Sequence, residues 1–429
     1  MFPVTLDDFI PTDHICRVID AFVGRLAMSD LGFERAEAAD TGRPGYDPRD
    51  LLKLYLYGYL NQIRSSRRLE AECRRNVELM WLLGRLDPDH KSIAEFRRLH
   101  RDAIAAAGAE LVRFARENGL IRGEWIAIDG SKFRAVASIN ATRERLELQR
   151  YLDKIDKADE EQQASIDQSA VQAALEKLKQ HPEPEARFML VRQVPLPAYN
   201  VQTAVDAEHA IIVAHSMTLD ASDIRCLKPM ADAAKQALEA DTLQVVADAG
   251  YSNGEQIAQC EEAGITPFVP VMRTVNNQAD GNLFGRTDFR YDAATDSYIC
   301  PGEKRLLRKH TNLKDRYTMY KASSVDCGAC SLKLRCTLAP RRGLARHLYE
   351  DALNRTEERV TPEAMRLRRQ TVEHPFATIK YRIFGHPRLL VRGLTGARSE
   401  IAIATMAYNL KRITKVLGAA RLAEQLQTC

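Results

Sequence analysis

The chain has 429 residues, a formal net charge of +4, and 45% hydrophobic against 28% charged residues. That length suits two or three domains and buries a core without disulfide or metal staples. The composition is that of a soluble globular protein and excludes a mainly disordered, collagen-like or small disulfide-scaffold chain. No apolar run approaches the roughly 18–20 residues of a membrane-spanning helix; Ile401 to Leu410 is about half that length. The start, Met-Phe-Pro-Val-Thr-Leu-Asp-Asp, has no basic-then-apolar signal region. A cytoplasmic protein with no membrane partner is expected.

Residues 1–120 read as helices. Asp47-Pro48 is an N-cap followed by proline at the first helical position, opening the apolar run from Leu51 to Leu60. Asn76 to Leu83 is a second helix, and Asp87-Pro88-Asp89 breaks it. Ser92-Ile93-Ala94-Glu95 reads as a capping box. A helix from Ile104 to Asn118 stops at Gly119. Short helices with Arg-bearing faces fit either a helix-turn-helix-like DNA module or an ordinary bundle.

The texture changes at residue 124. Trp125 to Ile128 reads as a buried strand ending at Asp129. Tyr199–Val205 and Ala210–Leu219 are two more strands around the turn Asp206-Ala207-Glu208-His209. A helix over Ser222–Ala240, a strand Leu243–Ala247 ending at Asp248, a helix Asn253–Ala263 and a strand Ile265–Val271 follow. This order predicts a mixed α/β sheet with flanking helices. Residues 138–188 are charged and Gln-rich and read as a helical insertion, closed by His181-Pro182-Glu183-Pro184. Residues 272–345 are polar, alternate like short strands and carry a cysteine cluster. Helices are expected over 358–383 and 397–427.

The small net charge hides an asymmetry: −5 over residues 1–40, +4 over 41–120, −10 over 121–300 and +15 over 301–429. A basic C-terminal block beside an acidic middle points to a polyanion partner.

Asp129 and Asp248 stand at the ends of two predicted strands, and Glu373 on a predicted helix. Each acid alone reads as a cap or turn former. Three carboxylates converging from two strands and a helix can hold two divalent ions through oxygen ligands. The words around them are more specific: Ala-Ile-Asp129-Gly-Ser-Lys-Phe-Arg-Ala, Val-Val-Ala-Asp248-Ala-Gly-Tyr, and Arg369-Gln-Thr-Val-Glu373-His-Pro-Phe-Ala-Thr-Ile-Lys380. Together these resemble the DDE transposases of bacterial insertion sequences. In that family the second acid is followed by x-Gly-Tyr or x-Gly-Phe, matched by Gly250 and Tyr251. The third lies in Tyr-x2-Arg-x3-Glu-x6-Lys, matched by Arg369, Glu373 and Lys380, with Arg366 in place of the tyrosine. Gly42-Arg43-Pro44, Tyr46-Asp47-Pro48, Phe384-Gly385, Val391-Arg392-Gly393-Leu394 and Ala407-Tyr408-Asn409-Leu410-Lys411-Arg412 resemble the branch called insertion sequence eleven-eighty-two.

The resemblance implies an α/β fold. It would comprise an all-α N-terminal DNA-binding domain over 1–120 and an RNase H-like catalytic domain over 121–429, interrupted by the helical insertion and the Cys-bearing, mainly β insertion. It implies two Mg²⁺ ions, with Mn²⁺ as substitute, held by Asp129, Asp248 and Glu373. These would cut double-stranded DNA at terminal inverted repeats, and the 3′-hydroxyl would join target DNA. Joining two ends implies at least a homodimer on DNA. Arg369 and Lys380 share a helix face with Glu373 and suit phosphate. Lys132 and Arg134 follow the first acid and suit it too. Asn200 and Gln202 lie on the strand expected beside Asp129, and His374 reads as structural. A non-catalytic DNA-binding regulator and a nuclease that only hydrolyses remain alternatives.

Cys300, Cys327, Cys330 and Cys336 form the late cluster. Cys-x2-Cys with two further thiols is either a closed structural Zn²⁺ site or a set of reduced, partly buried thiols. Cys16, Cys73, Cys226 and Cys260 read as core residues.

Overall fold

The computed structural model describes residues 5–35, 45–155, 167–181, 183–272 and 283–428. Gly42-Arg43-Pro44, Pro182, Cys429, residues 156–166 of the expected helical insertion and residues 273–282 of the Cys-bearing one lie outside the described residues.

The head is helical: α1 Ile15–Gly24, α2 Pro48–Leu60, α3 Ser66–Cys73, α4 Val77–Leu82, α5 His90–Leu99 and α6 Arg101–Glu117. The Asp47 carboxylate accepts from the Arg49 amide at 2.8 Å, with Pro48 first in the helix, as the sequence predicts. The capping box at Ser92 is corrected. Helix α5 begins at His90, and Asp89 caps it by accepting from the amides of Lys91 and Ser92. An aspartate three residues upstream already satisfies those free amides, so Ser92 sits inside the first turn and its hydroxyl donates to Asp89.

The main sheet contains β1 Trp125–Arg134, β2 Arg187–Val191, β3 Val194–Asp206, β4 Ile212–Thr218, β5 Leu243–Val246 and β6 Ile265–Phe268. Long strand β3 pairs antiparallel with β1 along one edge. Its other edge takes β2 on the first half and β4 on the second. Beyond β1, strands β5 and β6 continue the sheet in parallel. Strand β1 does not stop at Asp129. Its parallel partner β5 ends opposite Ala127, but β3 pairs on to Arg134. Helices α7 Ile139–Ile155 and α8 Gln168–Lys179 follow β1, and α9 Leu227–Leu238 and α10 Gly254–Glu262 flank β5.

A second, antiparallel sheet holds β7 Arg290–Asp292, β8 Ser297–Ile299, β9 Arg305–Asn312, β10 Tyr317–Lys321 and β11 Gly343–His347 in the order 11-10-9-8-7. Short helices α11 Ser324–Gly328 and α12 Lys333–Cys336 lie between β10 and β11.

The helix expected over 358–383 is two. Helix α13 Glu350–Arg359 ends before Thr361-Pro362. Helix α14 Pro362–Ala377 then runs into a π-helical turn, Thr378–Ile383. The last helix also divides, into α15 Leu394–Leu417 and α16 Ala419–Thr428, at Gly418 with φ 83°. Among the described residues, no helix is long and apolar enough to cross a membrane.

One apolar core joins head, sheet and tail. Phe22, Tyr55, Phe114, Ile126, Val205, Val245, Ile403, Leu410 and Leu426 all belong to it. Helix α15 packs on α2, α6 and β4, and α16 on α1. The tail motif explains itself here. Tyr408 donates to the Ala210 carbonyl at 2.7 Å, and Arg412 to that of His209. Buried Asn409 accepts from the Ile212 amide and donates to its carbonyl at 3.0 and 2.8 Å. Little more than one turn of one helix therefore holds the β3–β4 hairpin.

Head and tail are also tied by charge. Arg64 donates to Glu400 at 2.6 Å and to the Arg388 carbonyl at 3.1 Å, and lies 4.1 Å over the Phe384 ring. Glu400 is 0% exposed, and its second oxygen accepts from the amides of Leu390 and Val391. A fully bonded buried pair resists removal of either partner. Glu400→Ala is expected to cost about 3–5 kcal/mol of unfolding free energy, read from urea unfolding. A loss below about 1 kcal/mol, the range of exposed pairs, would contradict this role.

Candidate active site

Parallel register brings the two aspartates together. The β1–β5 ladder ends at Ala127 opposite Val246; two residues on stand Asp129, within β1, and Asp248, in extended backbone just past the end of β5. Side chains two apart in a strand share a face, so Asp129 and Asp248 sit at matched points. Helix α14 crosses these strands on a small apolar contact of Ala127, Val246, Ala364 and Val372, with Trp125, Phe268 and Met365 around it. Arg368 is one turn from both Ala364 and Val372, so it points at the gap between the acids. One guanidinium nitrogen donates to Asp129 at 2.8 Å and to Asp248 at 2.9 Å.

Burial pushes the Asp129 carboxyl up to about 6, although the Arg368 cation works the other way. The Asp248 charge raises it further. Asp248 is more open to solvent and accepts from the Gly250 amide at 2.8 Å, which fixes its carboxylate. A Cβ on Gly250 would lie 2.9 Å from that same oxygen.

Behind Asp129 a polar network locks β1 against β3. Gln202 and Asn200 face Gly130 and Lys132 in the register. Asp223 accepts from Asn200 at 2.6 Å, Gln202 at 2.7 Å and Lys132 at 3.0 Å. The Tyr251 hydroxyl, fully buried, donates to Gln202. The tyrosine of the second acidic motif thereby reaches the strand of the first. Gly130 is required: a Cβ there would stand 2.2 Å from Gln202 Nε2 and 2.7 Å from Asp223 Oδ1.

Residues 196–410 match the family model described as the Transposase DDE domain, and residues 4–99 the one described as Transposase domain (DUF772). The chain belongs to the DDE transposases. It is therefore a DDE-type polynucleotidyl transferase of insertion-sequence type, and its family uses divalent metals such as Mg²⁺. No curated protein matches. A cryo-EM structure of the piggyBac transposase synaptic complex with hairpin DNA is similar over 96% of this chain and 78% of that one, at 8% identity and TM-score 0.35. That level does not establish a shared fold.

In the transposase the remaining expected residues take different places. Lys380 donates to the Ser131 hydroxyl and stands 5.0 Å over the Phe133 ring. Burial pulls its ammonium down to about 8. Lys132 is engaged by Asp223. Arg134 pairs through its backbone with the 387–389 segment, and its Nε has no hydrogen-bond partner among the described residues. Arg369 and Glu373 are exposed on α14. Glu373 lies five residues past Arg368, about 140° around the helix. The three acids do not bring oxygens within 4.8 Å of one another. Cys300, Cys327, Cys330 and Cys336 do converge, on one cavity of the second sheet.

Two residues at this site escape the sequence reading. Arg368 lies in Arg366-Leu-Arg-Arg369, where helical phase alone selects it. Asp223 lies in a loop, and its only signal is the pair of amide side chains on β3 that need an acceptor.

Gly130→Ala is expected to break the Gln202–Asp223 contacts and cost about 1–3 kcal/mol of stability, as overpacking does. Thermal unfolding of the variant beside the unsubstituted chain checks this; an unchanged midpoint would show that the close approach is not limiting.

Proposed function

We propose that the transposase cuts DNA at the ends of its element and joins the freed 3′-hydroxyl to target DNA. Asp129, Asp248 and Glu373 would be the metal ligands of an RNase H-like core. The observation that carries this reading is the Arg368 cation bonded to two carboxylates at matched points on parallel strands. A positive charge already stands where a divalent ion would, and carboxylate oxygens are the hard donors that Mg²⁺ and Mn²⁺ prefer. The strand order supports the fold reading, with β4, β3 and β1 antiparallel and β5 and β6 parallel to β1.

When bound, two such ions supply an activated water and stabilise the leaving oxygen. The chain's own residues have the remaining tasks. Asp129 is fixed by its strand and by the network behind Gly130. Arg368 releases both carboxylates and becomes free for a phosphate. Glu373, on the same helix as Arg368, would complete the ligand set. Arg369, Lys380 and Arg134 hold the DNA backbone. Lys132 acts through Asp223 rather than on phosphate. Residues 1–120 would form a DNA-binding domain and 121–429 the catalytic domain, with its insertions near 138–188 and 272–345. Two copies would pair the terminal inverted repeats, as in the eleven-eighty-two branch.

The test is cleavage of DNA carrying the element's own ends in Mg²⁺ or Mn²⁺. Asp248→Asn is expected to retain DNA binding and to lose cleavage by roughly a thousandfold, the several kcal/mol a metal site contributes. Unchanged cleavage would overturn the assignment. A supplied 3′-hydroxyl end that never joins target DNA, with cleavage intact, would favour a nuclease.

A further inference from the structure

The second sheet carries a feature that DNA cleavage does not use. Cys300 follows β8, Cys327 lies on α11, Cys330 just beyond it and Cys336 ends α12. All four are free thiols and line one cavity of about 20 Å³, together with Lys304, Lys333 and Arg342. That volume holds one small occupant. We propose that these four cysteines bind a single structural Zn²⁺ that staples the second sheet.

Three independent observations carry this. The first is backbone geometry. Cys300 begins a tight turn in which its amide donates to the Lys304 carbonyl at 2.9 Å, and the Lys304 amide points back at Cys300 Sγ at 3.4 Å. An N–H aimed at sulfur favours the thiolate that a metal needs. Gly302, inside the turn, has both sulfurs within contact range: a Cβ there would lie 3.4 Å from Cys330 Sγ and 3.7 Å from Cys300 Sγ. The second is charge. Four thiolates around Zn²⁺ carry a net charge of −2, and the three cations Lys304, Lys333 and Arg342 outnumber the one acid, Asp326, in the lining. The third is the thinness of the core. This sheet has its own cluster of only Phe289, Tyr298, Leu306, Tyr320, Ala322, Cys336 and Leu344. Leu307, Leu313, Val325, Leu334 and Leu338 are exposed. Cores this small call for a staple.

No three of the sulfurs lie within 4.8 Å of one another. A tetrahedral site with Zn–S near 2.3 Å sets them about 3.8 Å apart, so the thiols close on the ion by turning about χ1. The described residues contain one tighter trio, His14, Cys16 and Glu78. It is already satisfied internally: His14 caps the Cys16 amide and faces Glu78, which accepts from Tyr57.

The experiment is elemental analysis of the full-length chain purified under reducing conditions, followed by exchange into Co²⁺. The expected result is one zinc per chain and, with cobalt, the thiolate charge-transfer and strong d–d absorption of an all-sulfur tetrahedral site. The metal should be lost in Cys327→Ser, kept in Cys16→Ser, and kept with a shifted cobalt spectrum in Cys336→His. The wild-type spectrum is read directly, so misfolding of a variant does not decide the matter. A metal-free chain that gives no such cobalt spectrum, or metal that follows Cys16, would overturn the proposal.

Discussion

Two carboxylates at matched points on neighbouring parallel strands repel each other, and a cation has to stand between them. Much of the catalytic half is arranged around that constraint. Parallel pairing of β1 and β5 sets the acids side by side. The small residues Ala127 and Ala364 let α14 lie close over the strands, and that closeness brings Arg368 within hydrogen-bond reach of both acids. An arginine serves better than a lysine here, because its charge is permanent and its fork is planar.

Rigidity behind the site comes from elements far apart in the chain. Asp223, on the loop after β4, collects three donors from β1 and β3. Tyr251 adds the turn after Asp248 to the same network. The last helices clamp the β3–β4 hairpin through Tyr408, Asn409 and Arg412, and Glu400 ties that helix to the head through Arg64. The tail word Tyr408-Asn409-Leu410-Lys411-Arg412 is thus a set of contacts between one helix and one hairpin.

Much of this was legible in the sequence, for physical reasons. Alternation and apolar runs mark β1, β3, β4 and β5, and the small-residue words after Asp129 and Asp248 mark close approach. Other features were hidden. The β2–β3 hairpin turns on Arg192-Gln193, both at positive φ, where Asn-Gly is the usual signal. Strand β1 outruns Asp129 because β5 stops opposite Ala127 while β3 pairs on to Arg134. The cap of α5 passed to Asp89 because two polar residues competed for the same amides. Arg368 was hidden among neighbouring arginines, since composition does not tell which one helical phase will aim inward. Glu373 carries the family word, but its place on the far side of α14 is a property of packing alone.

In the proposed mechanism the Asp129–Asp248 pair is the cation site of DNA cleavage, and Arg368 holds its place. A crystal structure of the transposase grown with Mn²⁺ tests this most directly, through the anomalous signal of the metal. Manganese is expected between Asp129 and Asp248, with the Arg368 guanidinium withdrawn from both. Arg368 still bridging the two acids, with no manganese there in a preparation that cuts DNA, would contradict it.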